Sequence, residues 1–155
     1  MARDTVVRHK RGGLYYDDFV VGHLYEHPLT RTVTQMDNML FSNMTLNPQP
    51  LHIDRHFCEQ ETEWGQPLMN SLFTLGLMIG IQVSDMTVGT TIANLGMTEV
   101  KFPHPLFEGD TVHCTTEVLG KRARLVVVLG RPFSLVDLMR AVTAAQPDCA
   151  GAVCA

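Results

Sequence analysis

The longest apolar stretch of the chain runs from Leu68 to Val83 and contains no charged residue. Polar side chains near its beginning are suited to an N-cap, so the pattern predicts a helix over about Ser71 to Ser84. Hydrophobic positions occur nearly all around this helix, which must therefore be covered on most sides. Gly76 and Gly80 lie four residues apart and would let a sheet or a partner helix approach the backbone.

Four other segments have the β-branched residues or the alternation typical of strands. They are Leu24–Val33, Gly89–Leu95, Met97–Phe102 and Thr111–Leu119. An apolar helix followed by strand-like runs predicts an α+β fold in which an antiparallel sheet curls around the helix.

Two shorter helices are predicted between the first strand and the central helix. Thr34 is a suitable N-cap for the first, in which Met36 and Met39 recur at helical spacing. Asp54 is a suitable N-cap for the second, which ends near Glu61. The methionines of the chain are interpreted as core filler.

The two ends of the chain depart from this pattern. Residues 1–13 are polar and basic and end in two glycines, which predicts a loose arm. The composition changes at about Arg122, beyond which a buried strand, a helix and a frayed end are predicted at Leu125–Leu129, Leu135–Val142 and residues 146–155. Residues 1–155 are interpreted as one domain with an atypical tail at 122–155, either a genuine variant or the product of an altered reading frame.

Composition excludes several classes of function. The chain has 155 residues, 45% hydrophobic and 18% charged, with a net charge of −4, which describes a globular domain without a general attraction to nucleic acid or anionic membranes. Its first residues contain no apolar segment of the kind found in secretory leaders and no apolar run is long enough to span a membrane, so a cytoplasmic location is expected. Its four cysteines form no metal-binding or redox pattern and are interpreted as buried or incidental thiols.

A polar loop with two prolines is the strongest candidate for an active site. It reads Asn47-Pro48-Gln49-Pro50-Leu51-His52-Ile53-Asp54 and precedes the apolar helix. The prolines predict irregular backbone there. A histidine in such a loop is suited to acid–base chemistry near neutral pH, although a structural role is the more frequent one for an isolated histidine.

The loop resembles the active-site motif of the MaoC-like (R)-specific enoyl-CoA hydratases, which have the hotdog fold. Three further segments add to the resemblance: Gly13 to Gly22, Trp64 to Leu68, and Asn70 to Leu77. The resemblance covers residues 12–121 and is greatest to the subgroup that hydrates mesaconyl-, itaconyl- or methylmalyl-CoA.

This resemblance implies that His52 is the catalytic base. The family's catalytic aspartate is replaced by Asn47, whose amide can hold a water or a carbonyl but cannot exchange protons at neutral pH. Either His52 acts alone or another carboxylate replaces the missing one, with Asp37 ranked ahead of Asp54.

The resemblance also implies an oxyanion site, a substrate and an assembly. The backbone N–H groups at Asn70 and Ser71 are expected to hold the enolate oxygen, because helix N-termini favour negative charge. Gln49 and Arg55 are expected to contact the substrate or its CoA, and a branched dicarboxylic acyl group is the expected substrate. No cofactor is expected, since CoA is part of the substrate.

The sequence leaves two rival functions open and predicts an oligomer. The rival functions are an acyl-CoA thioesterase and a non-catalytic acyl-CoA-binding or structural subunit. A homodimer or a higher even oligomer is expected, with acyl-CoA as the ligand and neither nucleic acid nor membrane as a partner.

Overall fold

The computed structural model describes residues 8–94, 96–122, 125–133 and 141–143. After a 3-10 turn at Tyr16–Asp18, the strands are β1 (Leu24–Glu26), β2 (Arg31–Thr32), β3 (Thr111–Arg122), β4 (Leu125–Phe133) and β5 (Ala141–Thr143). The helices are α1 (Gln35–Met44), α2 (Pro50–Ile53), α3 (Arg55–Glu61) and α4 (Ser71–Met86).

The sheet is organised around the long strand β3. β1 and β2 pair with successive parts of one edge of β3, β4 pairs with its other edge, and β5 pairs with β4. Every strand pairing between these elements is antiparallel. The predicted α+β class, an antiparallel sheet against an apolar helix, is confirmed.

Helix α4 begins as predicted and supplies much of the core. Its buried residues include Met78, Ile81 and Met86, and the first two lie in one cluster with Val112 and Cys114 of β3. Side chains of β3 point alternately toward α4 and away from it, and those that point toward it are largely apolar. One face of α4 is therefore buried against the sheet.

The other face of α4 is open. Leu72 is 60% exposed, and no described atom lies within 4 Å of a β-carbon added at Gly76 or Gly80, leaving out the neighbouring residues and the helix's own nearby backbone. Within the described part of the chain, α4 is therefore not covered on most sides as expected, because the described strands contact one side of it.

Two strand predictions need correction. The first predicted strand is split into β1 and β2, with Pro28 between them, since proline has no N–H for a strand ladder. The predicted strands Gly89–Leu95 and Met97–Phe102 are wrong for the described residues there, which contain only isolated bridge positions at Ala93 and Thr98. Left-handed conformations at Gly89 and Glu99 interrupt the extended backbone.

The predicted shorter helices are confirmed, but the interpretation of their methionines is not. The Thr34 side chain accepts from the backbone N–H of Asp37, capping α1, and the Asp54 side chain caps α3 through Phe57. Met36 and Met39 are exposed, since α1 buries the face that carries Asn38 instead.

The predictions for the chain ends are partly tested. Residues 8–13 are not a loose arm, because the Arg8 side chain donates to the carbonyl of Asp85 at 2.6 Å and the N–H of Gly13 to that of Val88 at 3.1 Å. The predicted tail strand lies within β4, whereas Ala141 and Val142 form part of β5 and not of a helix. Residues 1–7, 134–140 and 144–155 lie outside the described residues.

Candidate active site

The proline-containing loop is more regular than its sequence predicts. Pro50 occupies the first position of the one-turn helix α2, where its missing N–H costs nothing. The side-chain oxygen of Asn47 accepts from the N–H of Gln49 at 3.1 Å, and the N–H of Asn47 donates to the carbonyl of Ser42 at 2.9 Å. The oxygen of the Asn47 amide is thus used in the turn, while the side-chain of Gln49 is exposed.

His52 lies on the α2 turn with its imidazole held in one orientation. Its Nδ1 lies 2.7 Å from the carbonyl oxygen of Leu68. A carbonyl only accepts hydrogen bonds, so Nδ1 carries the proton and Nε2 of the neutral ring is left with a free lone pair. The geometry leaves Nε2 as a base.

Sequence reasoning missed the side chain that connects this histidine to the central helix. Asn38, which is fully buried on α1, donates from its amide nitrogen to the carbonyls of His52 at 2.8 Å and Leu68 at 3.0 Å. Its amide oxygen accepts from the N–H of Asn70 at 2.9 Å. The side-chain amide of Gln35 also donates to the His52 carbonyl, at 2.8 Å. The one feature of the sequence that could have indicated this role is the amide side chain of Asn38, on a helix whose apolar face was expected to be buried.

The start of α4 borders an apolar groove of about 190 Å³. Asn70 caps the helix by accepting from the N–H of Leu72 at 3.0 Å. The lining residues come from the segment before α4, from its first turn and from the loop ahead of β3: Trp64, Leu68, Met69, Ser71, Thr74, Phe102, Pro103, His104, Pro105 and Leu106. The expectation that the N–H of Asn70 holds the enolate oxygen is wrong, because that N–H donates to Asn38. The N–H of Leu72 is also used, by the Asn70 side chain, which leaves those of Ser71 and Phe73 at a helix end suited to an anionic oxygen.

His52 and Asn47 are not among the residues that line this groove. Leu68 connects the two parts of the site, since its carbonyl holds the imidazole while the residue also lines the groove. The structure thus brings His52 and the helix start together through shared hydrogen bonds.

Both aspartates ranked as replacements for the family carboxylate have structural contacts. Asp37 forms a capping box with Thr34 and an ion pair with Arg31 at 2.6 Å. Partial burial raises the pKa of Asp37, but the hydrogen bonds from Thr34 and the nearby guanidinium outweigh this and lower the pKa below its usual value. A carboxylate held in this way is a weak base, and Asp54 is the cap of α3.

Arg55 lies at the start of α3 on the surface. Its guanidinium is 3.9 Å from the carboxylate of Glu108 and 4.0 Å from that of Glu59, and all three side chains are well exposed. Exposed pairs at this separation are weak, so the guanidinium can exchange these partners for a ligand anion. Lys121, near the end of β3, donates to the carbonyl of Phe19 at 2.7 Å.

A second histidine constellation went unnoticed in the sequence. His27 is buried, with Nδ1 2.7 Å from a carboxylate oxygen of Asp85 and Nε2 2.7 Å from the hydroxyl of Thr116. The order carboxylate, imidazole, hydroxyl is that of a nucleophilic triad. Thr116 is fully buried, however, so no substrate reaches it, and the three residues connect α4 to the sheet.

The described cysteines fit the interpretation as buried thiols. Cys58 and Cys114 are free and buried, and burial raises the pKa of both, that of Cys114 to about 12. Within the described part of the chain, no group of three or more potential ligands could hold a metal ion, and no helix is long and apolar enough to cross a bilayer.

Comparison with known proteins connects this geometry to a family. Residues 18–130 match the family model described as a MaoC like domain. The chain is 28% identical over 116 residues to β-methylmalyl-CoA dehydratase of Chloroflexus aurantiacus, which covers 71% of this chain. It is 27% identical over 114 residues to mesaconyl-CoA hydratase of Cereibacter sphaeroides, covering 70% of this chain.

The chain spans about a third of the length of these curated relatives, 31% of each. Among solved structures, a Mycobacterium tuberculosis protein described as a double hotdog fold superimposes with a TM-score of 0.71 at 23% identity. That match covers 90% of this chain and 46% of the other. The likeness shows that the sheet and central helix form the hotdog fold.

Proposed function

This chain belongs to the MaoC-like domain family, and we propose that it adds water to, or removes water from, the double bond of an enoyl-CoA thioester. One observation carries the proposal: Nδ1 of His52 donates to the carbonyl of Leu68, which leaves Nε2 of the neutral ring as the basic nitrogen. The hydratase and dehydratase names of the two relatives agree with this chemistry.

Hydration requires a base, a proton for the α-carbon and a site for negative charge. Nε2 of His52 takes a proton from water, whose oxygen bonds to the β-carbon as the carbon–carbon π electrons move toward the thioester oxygen. The N–H groups of Ser71 and Phe73 at the start of α4 stabilise the resulting enolate. The imidazolium then returns its proton to the α-carbon, so that one water has been added and His52 is neutral again.

Asn47 has an orienting role in this scheme. Its oxygen accepts from Gln49, whereas its amide nitrogen remains a donor that can hold a water or the thioester carbonyl. Neither Asp37 nor Asp54 is needed, since His52 both accepts and returns the proton.

The proposed substrate is a short, branched dicarboxylic enoyl-CoA of the mesaconyl-, itaconyl- or methylmalyl-CoA type. Support comes from the names of the relatives and from Arg55, whose exposed guanidinium has only distant carboxylate partners. Gln49, exposed in the loop that carries His52, is proposed as a contact to the substrate or its CoA.

The direct test is to incubate the protein with crotonyl-CoA and with mesaconyl-CoA. Loss of the enoyl-thioester absorbance without release of free CoA supports hydration. Release of CoA would instead indicate a thioesterase, which the absence of a carboxylate at Asn70 and Ser71 argues against. Binding of either thioester without turnover would indicate a non-catalytic subunit.

Replacing Asn47 with aspartate is expected to leave hydration of crotonyl-CoA unchanged or to increase it. The change restores the carboxylate of the common family motif and retains an oxygen that can accept from Gln49. Turnover of Asn47→Asp and Asn47→Ala should be measured side by side. A loss of turnover in the aspartate variant as large as that in the alanine variant would contradict the prediction.

Replacing Arg55 with alanine is expected to raise the KM for mesaconyl-CoA more than the KM for crotonyl-CoA, because only the mesaconyl group carries a free carboxylate. Arg55→Lys keeps the charge and serves as the matched control. An equal rise for both substrates would indicate binding to the CoA portion, and no rise for either would remove Arg55 from the site.

The open face of α4 is expected to be covered by a second copy of the chain. Leu72, Gly76 and Gly80 form an uncharged stripe along it, and small residues permit close packing of a partner helix. Light scattering at micromolar concentration should give a dimer or a higher even oligomer. Gly80→Glu should lower the mass to that of a monomer, whereas the surface change Glu59→Gln should not; a wild-type monomer would refute the expectation.

A further inference from the structure

Asn38 makes more specific contacts than a polar helix residue requires. Both ends of its amide are used, with two carbonyls accepting from the nitrogen and one N–H donating to the oxygen, all between 2.8 and 3.0 Å. Burial of a side-chain amide is costly unless it is hydrogen-bonded, and here that condition is met.

Burial on this helix face does not by itself produce such contacts. Ser42 is one turn further along α1 and equally buried, yet its hydroxyl has no hydrogen-bond partner. The pattern at Asn38 therefore depends on where its three partners lie.

Those partners define the candidate active site. The His52 carbonyl belongs to the turn that carries the base, the Leu68 carbonyl holds the Nδ1–H of the imidazole, and Asn70 begins α4. One side chain thus contacts the turn that carries the base, the acceptor that sets its tautomer, and the N-cap residue of α4.

We infer that Asn38 is a positioning residue, which holds the His52 imidazole in its Nδ1–H tautomer and in register with the start of α4. The catalytic part of this inference rests on the proposed hydratase function. Asn38 touches neither the substrate nor the reacting atoms, so it acts through the positions of His52 and Asn70. Displacement of a catalytic group by about 1 Å can cost about a hundredfold in rate.

The test compares Asn38→Asp and Asn38→Ser with Ser42→Ala. Aspartate keeps an oxygen for the N–H of Asn70 but cannot donate to two carbonyls when ionised, while serine is uncharged and too short to reach all three partners. Ser42→Ala changes an equally buried position on the same helix without touching this network. The readouts are kcat and KM for an enoyl-CoA, the melting temperature, and the tautomer of His52 by NMR of ¹⁵N-labelled histidine, assigned with His52→Ala.

Both Asn38 variants are expected to reduce the Nδ1–H tautomer of His52 and to lower kcat by about 30- to 100-fold, with KM changed by less than about threefold. Ser42→Ala should match the wild type in tautomer and kcat. If aspartate prevents folding, Asn38→Ser decides the question. The inference is overturned if the folded Asn38 variants retain the wild-type tautomer of His52.

The NMR measurement separates this inference from the proposed function. A wild-type protein that hydrates no enoyl-CoA, but whose His52 loses its tautomer in the Asn38 variants, would refute the function and support positioning by Asn38. An active wild type with an unchanged His52 tautomer in both variants would support the hydratase function and refute positioning by Asn38.

Discussion

Replacing His52 with alanine is expected to lower the turnover of an enoyl-CoA by about a hundredfold or more, the effect typical of removing a general base. The imidazole is the only group at the candidate site for which the structure provides both a fixed tautomer and a free basic nitrogen. The variant should still fold, because its backbone carbonyl keeps the hydrogen bonds from Gln35 and Asn38.

His56→Ala is the matched control for this prediction. His56 lies one turn further on, exposed on α3, and should be replaceable without a change in rate. Steady-state loss of enoyl absorbance should be measured for both variants and the wild type. An unchanged rate in His52→Ala would remove His52 from the mechanism, and an equal loss in both variants would indicate damage to the α2–α3 segment.

Replacing His27 with alanine is expected to cost about 3 kcal/mol of unfolding free energy, the largest effect on stability among the substitutions considered. The change leaves a cavity, removes a hydrogen bond to the Asp85 carboxylate and leaves the hydroxyl of Thr116 buried without its imidazole partner. Urea denaturation of the wild type and the variant would measure the loss.

Two further variants show whether this loss has the stated cause. His113→Ala, at an exposed position of the neighbouring strand β3, should change stability by no more than about 0.5 kcal/mol. Adding Thr116→Val to His27→Ala should recover part of the loss, since the buried hydroxyl that lost its imidazole partner is then removed. A loss of unfolding free energy below about 1 kcal/mol in His27→Ala would contradict the prediction that His27 stabilises the contact between α4 and the sheet.

The helices and their first residues were the most predictable features of this protein. Thr34, Asp54 and Asn70 each cap a helix through an N–H two or three residues ahead, so the signal is contained in a short window of sequence. The apolar period of α4 is local in the same sense. The loop with His52 was also identified from sequence, through its motif and not from any geometry.

The strands were less predictable, because strand formation depends on a partner and on the turns between. Pro28 splits one predicted strand, and left-handed backbone at Glu99 disrupts another segment that has strand-like composition. Ala141 and Val142 end a segment predicted to be helical but pair with β4.

The family, the central helix and the histidine of the candidate site could all be identified from the sequence, since each depends on neighbouring residues. How that histidine is held depends on contacts between distant parts of the chain. Asn38 contacts the His52 carbonyl 14 residues away and the Leu68 carbonyl 30 residues away. His27 finds Asp85 and Thr116 at separations of 58 and 89 residues. A buried polar side chain requires partners with the right geometry, and no local pattern specifies which distant carbonyl, carboxylate or hydroxyl the fold will bring to it.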